Sequence, residues 1–555
     1  MHGHPFSGPL QIWWGKTNLP EMPRTLFRGL GEAVEKADMF RAGGLISMNG
    51  RFDRTQLHTL IARLSATIGS NTQKADNPRI PSGYTYLLQF IAHDMVDSVV
   101  SFDIHEQSLI PGSRNARMRP LLLDTLYGMG PDECPHAYEA SIGEGQIPRT
   151  RLRMGVHQSA PFGDFCPFRD IARNRGAWDQ QGTPPLTEAM LADARNDAHA
   201  LISQLTILFQ LLHNHVVGML ERATVGEQRN FPAREIAYRH YHCARTVVTL
   251  IYRNIICKDV LRRVLHDEVY RHYLLNGNKP RDSGATIPLE FTFGAFRFGH
   301  AMVRDAYDIN SAFPAQPTSK ALRLSSLSAP MDLPVDKTWF VDWARFFDTG
   351  LVQKPNLSKV IGPHYPGALE DDFMFMPPKV PGVDSGGLTN RDLLSACYAG
   401  MLSADALCRI LREQGFDLVK SFDDWRPKLR TWLLQSAHFS QSPEALDMIA
   451  RDPPLPFFLL LEAADGGGRH LGPVGSIIVA ETILGAMEAN PLRVKGDTLR
   501  ERIKSCGMAL FKTGPADATE AEPMQAAVTE ALNEIGEIET MPGLLAYMAQ
   551  GRMFD

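Results

Sequence analysis

The longest apolar run in the chain, residues 200–220, is interrupted by Gln204, Gln210, His213, Asn214 and His215. Polar groups at that density are costly in lipid, so the run predicts a helix buried in a protein core and not a membrane span. The segments around it also read as helices, over 54–68, 185–220, 234–275, 388–414, 425–436, 443–449 and 475–487. Residues 289–305 open strand-like and turn helical around 296–303. An Ala/Glu-rich helix is expected near 516–535. Residues 100–185 and 310–385 are rich in glycine and proline and read as long irregular wraps. No βαβ alternation and no solenoid period is visible. The expected fold class is therefore mainly α: a single large helical domain with long irregular loops and few short strands. The expected division is an N-terminal wrap at 1–75, a catalytic core at 76–490 and a C-terminal helical extension at 491–555.

The formal charge of -5 and the absence of a long basic run argue against nucleic acid as a partner. Seven cysteines lie at irregular spacings with no Cys-x-x-Cys, which excludes zinc-ribbon and iron–sulfur patterns and suits reduced thiols. The start, Met-His-Gly-His-Pro, lacks the charged and apolar regions of a signal peptide, so a cytoplasmic location is expected.

Four stretches carry residues fit for chemistry. In Gly83-Tyr-Thr-Tyr-Leu-Leu-Gln89-Phe-Ile-Ala-His93-Asp94, Gln89 and His93 share a helical face, and a preceding Ser82 is placed to cap the helix. Asp193-Ala-Arg195-Asn-Asp197 opens the long apolar helix and brings Arg195 to its start. Phe293-Gly-Ala-Phe-Arg297-Phe-Gly-His300 surrounds a histidine with small and aromatic residues, which lets a flat group approach the backbone. Thr389-Asn390-Arg391-Asp392 offers an amide or a carboxylate for a histidine's second ring nitrogen. Each alone has an ordinary structural explanation, as a core histidine, a paired arginine or a helix cap.

In this order the four stretches resemble the peroxidase–cyclooxygenase superfamily, the animal-type haem peroxidases, and most of all its bacterial branch. The segments 123–131 and 471–481 fit the same pattern. The resemblance implies haem b. It makes His93 the distal histidine, Arg195 the distal arginine and Gln89 the distal glutamine that contacts water or halide. It makes His300 the proximal iron ligand and puts Arg297 beside the haem propionates. Asp392 stands where the family usually has the asparagine that holds the proximal imidazole, and Asn390 is the alternative partner. A carboxylate there makes the ligand more basic and lowers the iron potential. Many members esterify haem through an aspartate before the distal histidine and a glutamate three residues after the distal arginine. Here those positions are Ala92 and Ala198, so non-covalent haem is expected; His199 stands at the place of a sulfonium-forming methionine. Asp94 matches a calcium ligand of the family, but no companion loop is found between 110 and 185, and calcium stays doubtful.

The implied activity is reduction of hydrogen peroxide with oxidation of a small, aromatic electron donor, His93 and Arg195 cleaving the O–O bond by acid–base and charge stabilisation. The alternatives are a biosynthetic haem peroxygenase or dioxygenase on the same scaffold, and a haem-binding protein without turnover. Cyclooxygenases and fatty-acid dioxygenases carry a tyrosine three residues before the proximal histidine. Here that residue is Arg297, which favours a peroxidase.

Overall fold

The buried helix expected from the apolar run forms over Ala200–Thr224, and the rest of the fold is packed around it. Among the described residues it is the one helix long and apolar enough to cross a membrane, and most of it lies inside the protein. The computed structural model describes residues 54–70, 75–99, 102–103, 108–109, 114–140, 149–158, 165–175, 187–225, 233–280, 287–352, 354–370, 387–399, 401–512 and 523–554. Residues 1–53 of the wrap expected at 1–75 lie outside them, as do residues 516–522 of the Ala/Glu-rich helix, whose remainder falls on Pro523–Asn533.

The protein is mainly α, and its described strands are short two-stranded ladders. Against Ala200–Thr224 pack the helices Gly83–Met95, Ala233–Ile255 and Pro523–Asn533. Phe90 stacks on Phe209 at 5.0 Å between ring centroids, and Tyr252 meets both edge-on, so three helices share one aromatic joint. Such a pair adds about 1 kcal/mol beyond the area it buries. The polar residues that excluded a membrane span tie loops to this helix. His213 bonds the Thr150 carbonyl and Tyr127, and the Asn214 amide pairs with both backbone groups of Leu152. One buried apolar cluster runs from Leu57 to Phe554, and the C-terminal helices are part of it.

The helix Gly83–Met95 starts on a strand, Asp76–Pro81, paired antiparallel with Leu357–Lys359. The expected Ser82 cap does not form: its buried hydroxyl has no partner among the described residues, and its own backbone is helical. The carbonyls of Asn356 and Phe346 take the Ser82 and Gly83 amides instead. That approach needs glycine, since a Cβ at Gly83 would lie 2.6 Å from Phe347 and 2.7 Å from the Phe346 carbonyl.

Several boundaries differ from the sequence reading. The helix expected from 185 begins only at Ala200; before it come the strand Thr187–Ala189 and the 3-10 turn Ala194–Asp197. Two local caps set that break, Asp193 on the Arg195 amide and His199 on the Ile202 amide. Residues 289–294 are not strand-like: Glu290–Gly294 is π-helical and Ala295–Met302 is 3-10. The alternating phenylalanines suggest a strand, but Gly294 fits closely under Leu455, which would lie 2.7 Å from a Cβ placed there; the local pattern does not encode that packing. The stretch 388–414 is two helices, Gly387–Tyr398 and Ala404–Glu413, the second capped by Ser403. The helices Leu455–Asp465, Leu499–Leu510 and Met541–Gln550 are separate elements that the sequence pattern does not announce.

Candidate active site

The helix Gly83–Met95 is buried except along Gln89, Ala92 and His93, which share one face and stay partly accessible. On the Ala295–Met302 turn, which packs against this helix, Phe296, Arg297, Gly299 and His300 are partly accessible in the same way. A Cβ built on Gly299 would meet no atom within 4 Å, so open space flanks His300.

Both histidines have their tautomers set by a neighbour. The Asn196 amide nitrogen donates to the Thr125 carbonyl at 3.1 Å, which turns its oxygen to His93 Nδ1 at 2.9 Å. Nδ1 therefore carries the hydrogen and Nε2 is the basic nitrogen. Burial, and then the Arg195 charge, push the His93 imidazolium down to about 4, so the ring is neutral at pH 7. Asp94 supports this arrangement from one residue away: its two carboxylate oxygens accept the Leu123 and Thr125 amides and fix the turn that holds Asn196.

On the Ala295–Met302 turn, His300 Nδ1–H donates to Asp392 at 2.6 Å, leaving Nε2 as the available ligand atom. Asp392 is buried and also accepts from Tyr365 Oη at 2.8 Å and Arg297 Nη1 at 3.1 Å. Burial alone would raise its carboxyl, but His300, Arg297 and these hydrogen bonds hold it below the usual carboxylate value. Asn390, the alternative partner, is buried and its amide oxygen has no hydrogen-bond partner among the described residues; the carboxylate two positions on occupies the histidine instead.

Two of the expected site residues are bonded to neighbouring protein groups. Arg195 has most of its N–H groups engaged by neighbours. Its guanidinium grips Asp193 through Nε at 3.0 Å and Nη2 at 2.6 Å, and bonds the carbonyls of His93 and Val96. These bonds leave a single N–H unengaged. The reason is local: those carbonyls end the Gly83–Met95 helix and need donors. Arg117 joins them, bonding Asp193 at 2.6 Å and the His93 carbonyl at 2.9 Å. Burial would raise the Asp193 carboxyl, but the two arginines hold it well below its ordinary value. Arg297 likewise is turned to Asp392 and the Thr292 carbonyl.

Sequence reasoning missed Arg117, Asn196 and Tyr365. Asn196 sits inside the Asp193–Asp197 motif; Arg117 and Tyr365 lie in irregular stretches and carry no local signal. His199, a departure from the family pattern, stands in the distal group, its Nε2 at 2.9 Å from Gln89 Oε1.

The donor set fits a haem. One imidazole has an Nε2 without a hydrogen-bond partner among the described residues and open space beside it at Gly299, its own turn carries aromatic and small residues, and a second neutral imidazole lies on the accessible strip of a helix packed against that turn. Ala92 and Ala198, at the positions of the esterifying carboxylates, offer only methyl groups. Among the described residues no three His, Cys, Asp or Glu side chains gather as a metal cluster, and a single proximal ligand needs none.

The family model for animal haem peroxidases matches residues 146–385, a segment holding Arg195, Arg297 and His300 while His93 and Asp392 fall outside it. Among solved structures, the chain is similar to Oryza sativa fatty acid alpha-dioxygenase, with a TM-score of 0.50 at 12% identity, covering 89% of this chain and 80% of that one. It is also similar to peroxidase A from Dictyostelium discoideum, with a TM-score of 0.45 at 14% identity, covering 77% and 82%. At 12% identity the likeness to the Oryza sativa structure is one of fold. No curated relative matches the sequence.

Proposed function

We propose that this chain, whose residues 146–385 match the family model for animal haem peroxidases, binds haem b without a covalent bond and reduces hydrogen peroxide at the expense of a small aromatic donor. The observation that carries this reading is the pair of locked tautomers: Asn196 and Asp392 each hold an Nδ1–H, so His93 and His300 both present a bare Nε2. His300 Nε2 would ligate the iron, which supplies the redox chemistry of O–O cleavage when bound. His93 Nε2 takes the proton from peroxide and returns it to the departing oxygen, a task for a neutral imidazole. Asp392 orients His300 and raises its basicity, while Arg297 and Tyr365 share the carboxylate and limit that effect. Arg195 acts at a distance, by keeping the His93 ring unprotonated and by closing the end of its helix. Arg297 in place of a tyrosine favours one-electron donor oxidation over lipid dioxygenation.

Rapid mixing of haem-loaded protein with hydrogen peroxide tests the proposal. His93→Ala should slow the reaction by about 100-fold or more, and Arg195→Ala by far less than that. Equal rates for the parent and His93→Ala would refute the assignment. Oxygen-18 peroxide separates the chemistries, because label in the organic product means oxygen transfer and label only in water means peroxidase turnover. Acidified organic solvent should extract the haem intact; pigment left on the polypeptide would contradict non-covalent binding.

A further inference from the structure

His199 has two separate engagements. Its Nδ1 accepts the Ile202 amide at 3.2 Å, capping the helix Ala200–Thr224. The ring hydrogen must then sit on Nε2, which donates to Gln89 Oε1 at 2.9 Å. The Tyr86 ring meets the imidazole edge-on at 5.6 Å, and the side chain is buried, so its orientation is fixed from two sides. With its oxygen occupied, Gln89 is left with its amide nitrogen, which has no acceptor among the described residues. Gln89 lies on the accessible strip with Ala92 and His93. The guanidinium of Arg195 is engaged by Asp193 and by the His93 and Val96 carbonyls.

We infer that His199 is a positioning residue: by holding the Gln89 oxygen it leaves the Gln89 N–H groups as the ones turned to an anion or oxygen bound on the His93 side. This rests on the haem reading. It gives the site a neutral donor, suited to a small anion.

Fluoride binding to the ferric, haem-loaded protein tests it, because bound fluoride is an acceptor that needs a donor. His199→Asn keeps a side-chain oxygen able to cap the helix but is too short to reach Gln89. Gln89→Leu removes the donor and leaves the cap alone. Each should weaken fluoride binding about tenfold, the worth of one hydrogen bond, and the double variant should be no weaker than either single one. Gln89→Glu, still held by His199, would turn a carboxylate oxygen outward and should lose more than Gln89→Leu. If His199 only caps its helix, His199→Asn will bind fluoride like the parent, and the inference falls. It falls equally if Gln89→Leu keeps the parent affinity, the result that decides should His199→Asn not fold. A parent protein that takes up no haem overturns the functional proposal itself, whereas haem uptake with unchanged fluoride affinity in the variants overturns this inference alone.

Discussion

Asn196 decides which nitrogen of His93 is basic, and it does so with one amide held between Thr125 and the ring. Replacing it with aspartate keeps an acceptor on Nδ1 but places a negative charge there, which favours the protonated ring. The His93 value of about 4 puts the acid limb of the peroxide reaction near that pH, with no loss between pH 7 and 5. In Asn196→Asp that limb should move up by about one pH unit or more; a profile that stays in place would mean His93 is not the base. On the proximal side the carboxylate makes predictions in two directions. Asp392→Asn should raise the ferric/ferrous potential, because the imidazole loses its basic partner. Tyr365→Phe should lower it, because the carboxylate regains density that the phenol had drawn. Potentiometry that finds both variants at the parent value would remove Asp392 from this role.

The helix Gly83–Met95 and the turn Ala295–Met302 are legible in the sequence to different degrees. The spacing of Gln89 and His93 places them on one face of a buried helix, and the structure has them there, because a 13-residue apolar helix has little freedom in which side it leaves accessible. The start of the turn is not legible, because alternating phenylalanines look alike in a strand and in a packed π-helical turn. Arg195 is found by its motif, which implies a donor role, but a motif does not say which carbonyls end a helix nearby. Those carbonyls, with Asp193, take the guanidinium. Asp193 is thus the joint between the long helix and the His93 helix, bonded to Arg117 and Arg195 together. Asp193→Ala should cost about 3 kcal/mol, the usual result of stripping the partner from buried charges. Chemical denaturation would show it, and a loss below about 0.5 kcal/mol would mean solvent already screens the pair.

Across the whole molecule, buried histidines set the acid stability. Burial pushes His93, His213 and His240 down to about 4 and His199 to about 3. Unfolded, each titrates near 6.5, so between pH 6.5 and about 4 the unfolded chain binds more protons and folding weakens as pH falls. Burial raises Asp94 to about 6 and Glu462 to about 7, which works the other way over the same window. Four depressed imidazoles outweigh two raised carboxyls, so denaturation midpoints should fall from pH 6.5 toward pH 4. A midpoint that rises instead would contradict the neutral, buried state of these rings. The extent of the core also explains why the site's residues come from segments far apart in sequence: it brings together the elements that carry His93 and Asn196, and those that carry His300, Tyr365 and Asp392.

Haem titration of the purified protein and of His300→Gly, each with and without added imidazole, addresses the central claim most directly. The parent should take up a single equivalent with a sharp Soret band, His300→Gly should lose that spectrum, and free imidazole should restore it by ligating the iron in the vacated place. Identical haem uptake and identical spectra for the two proteins would contradict the claim.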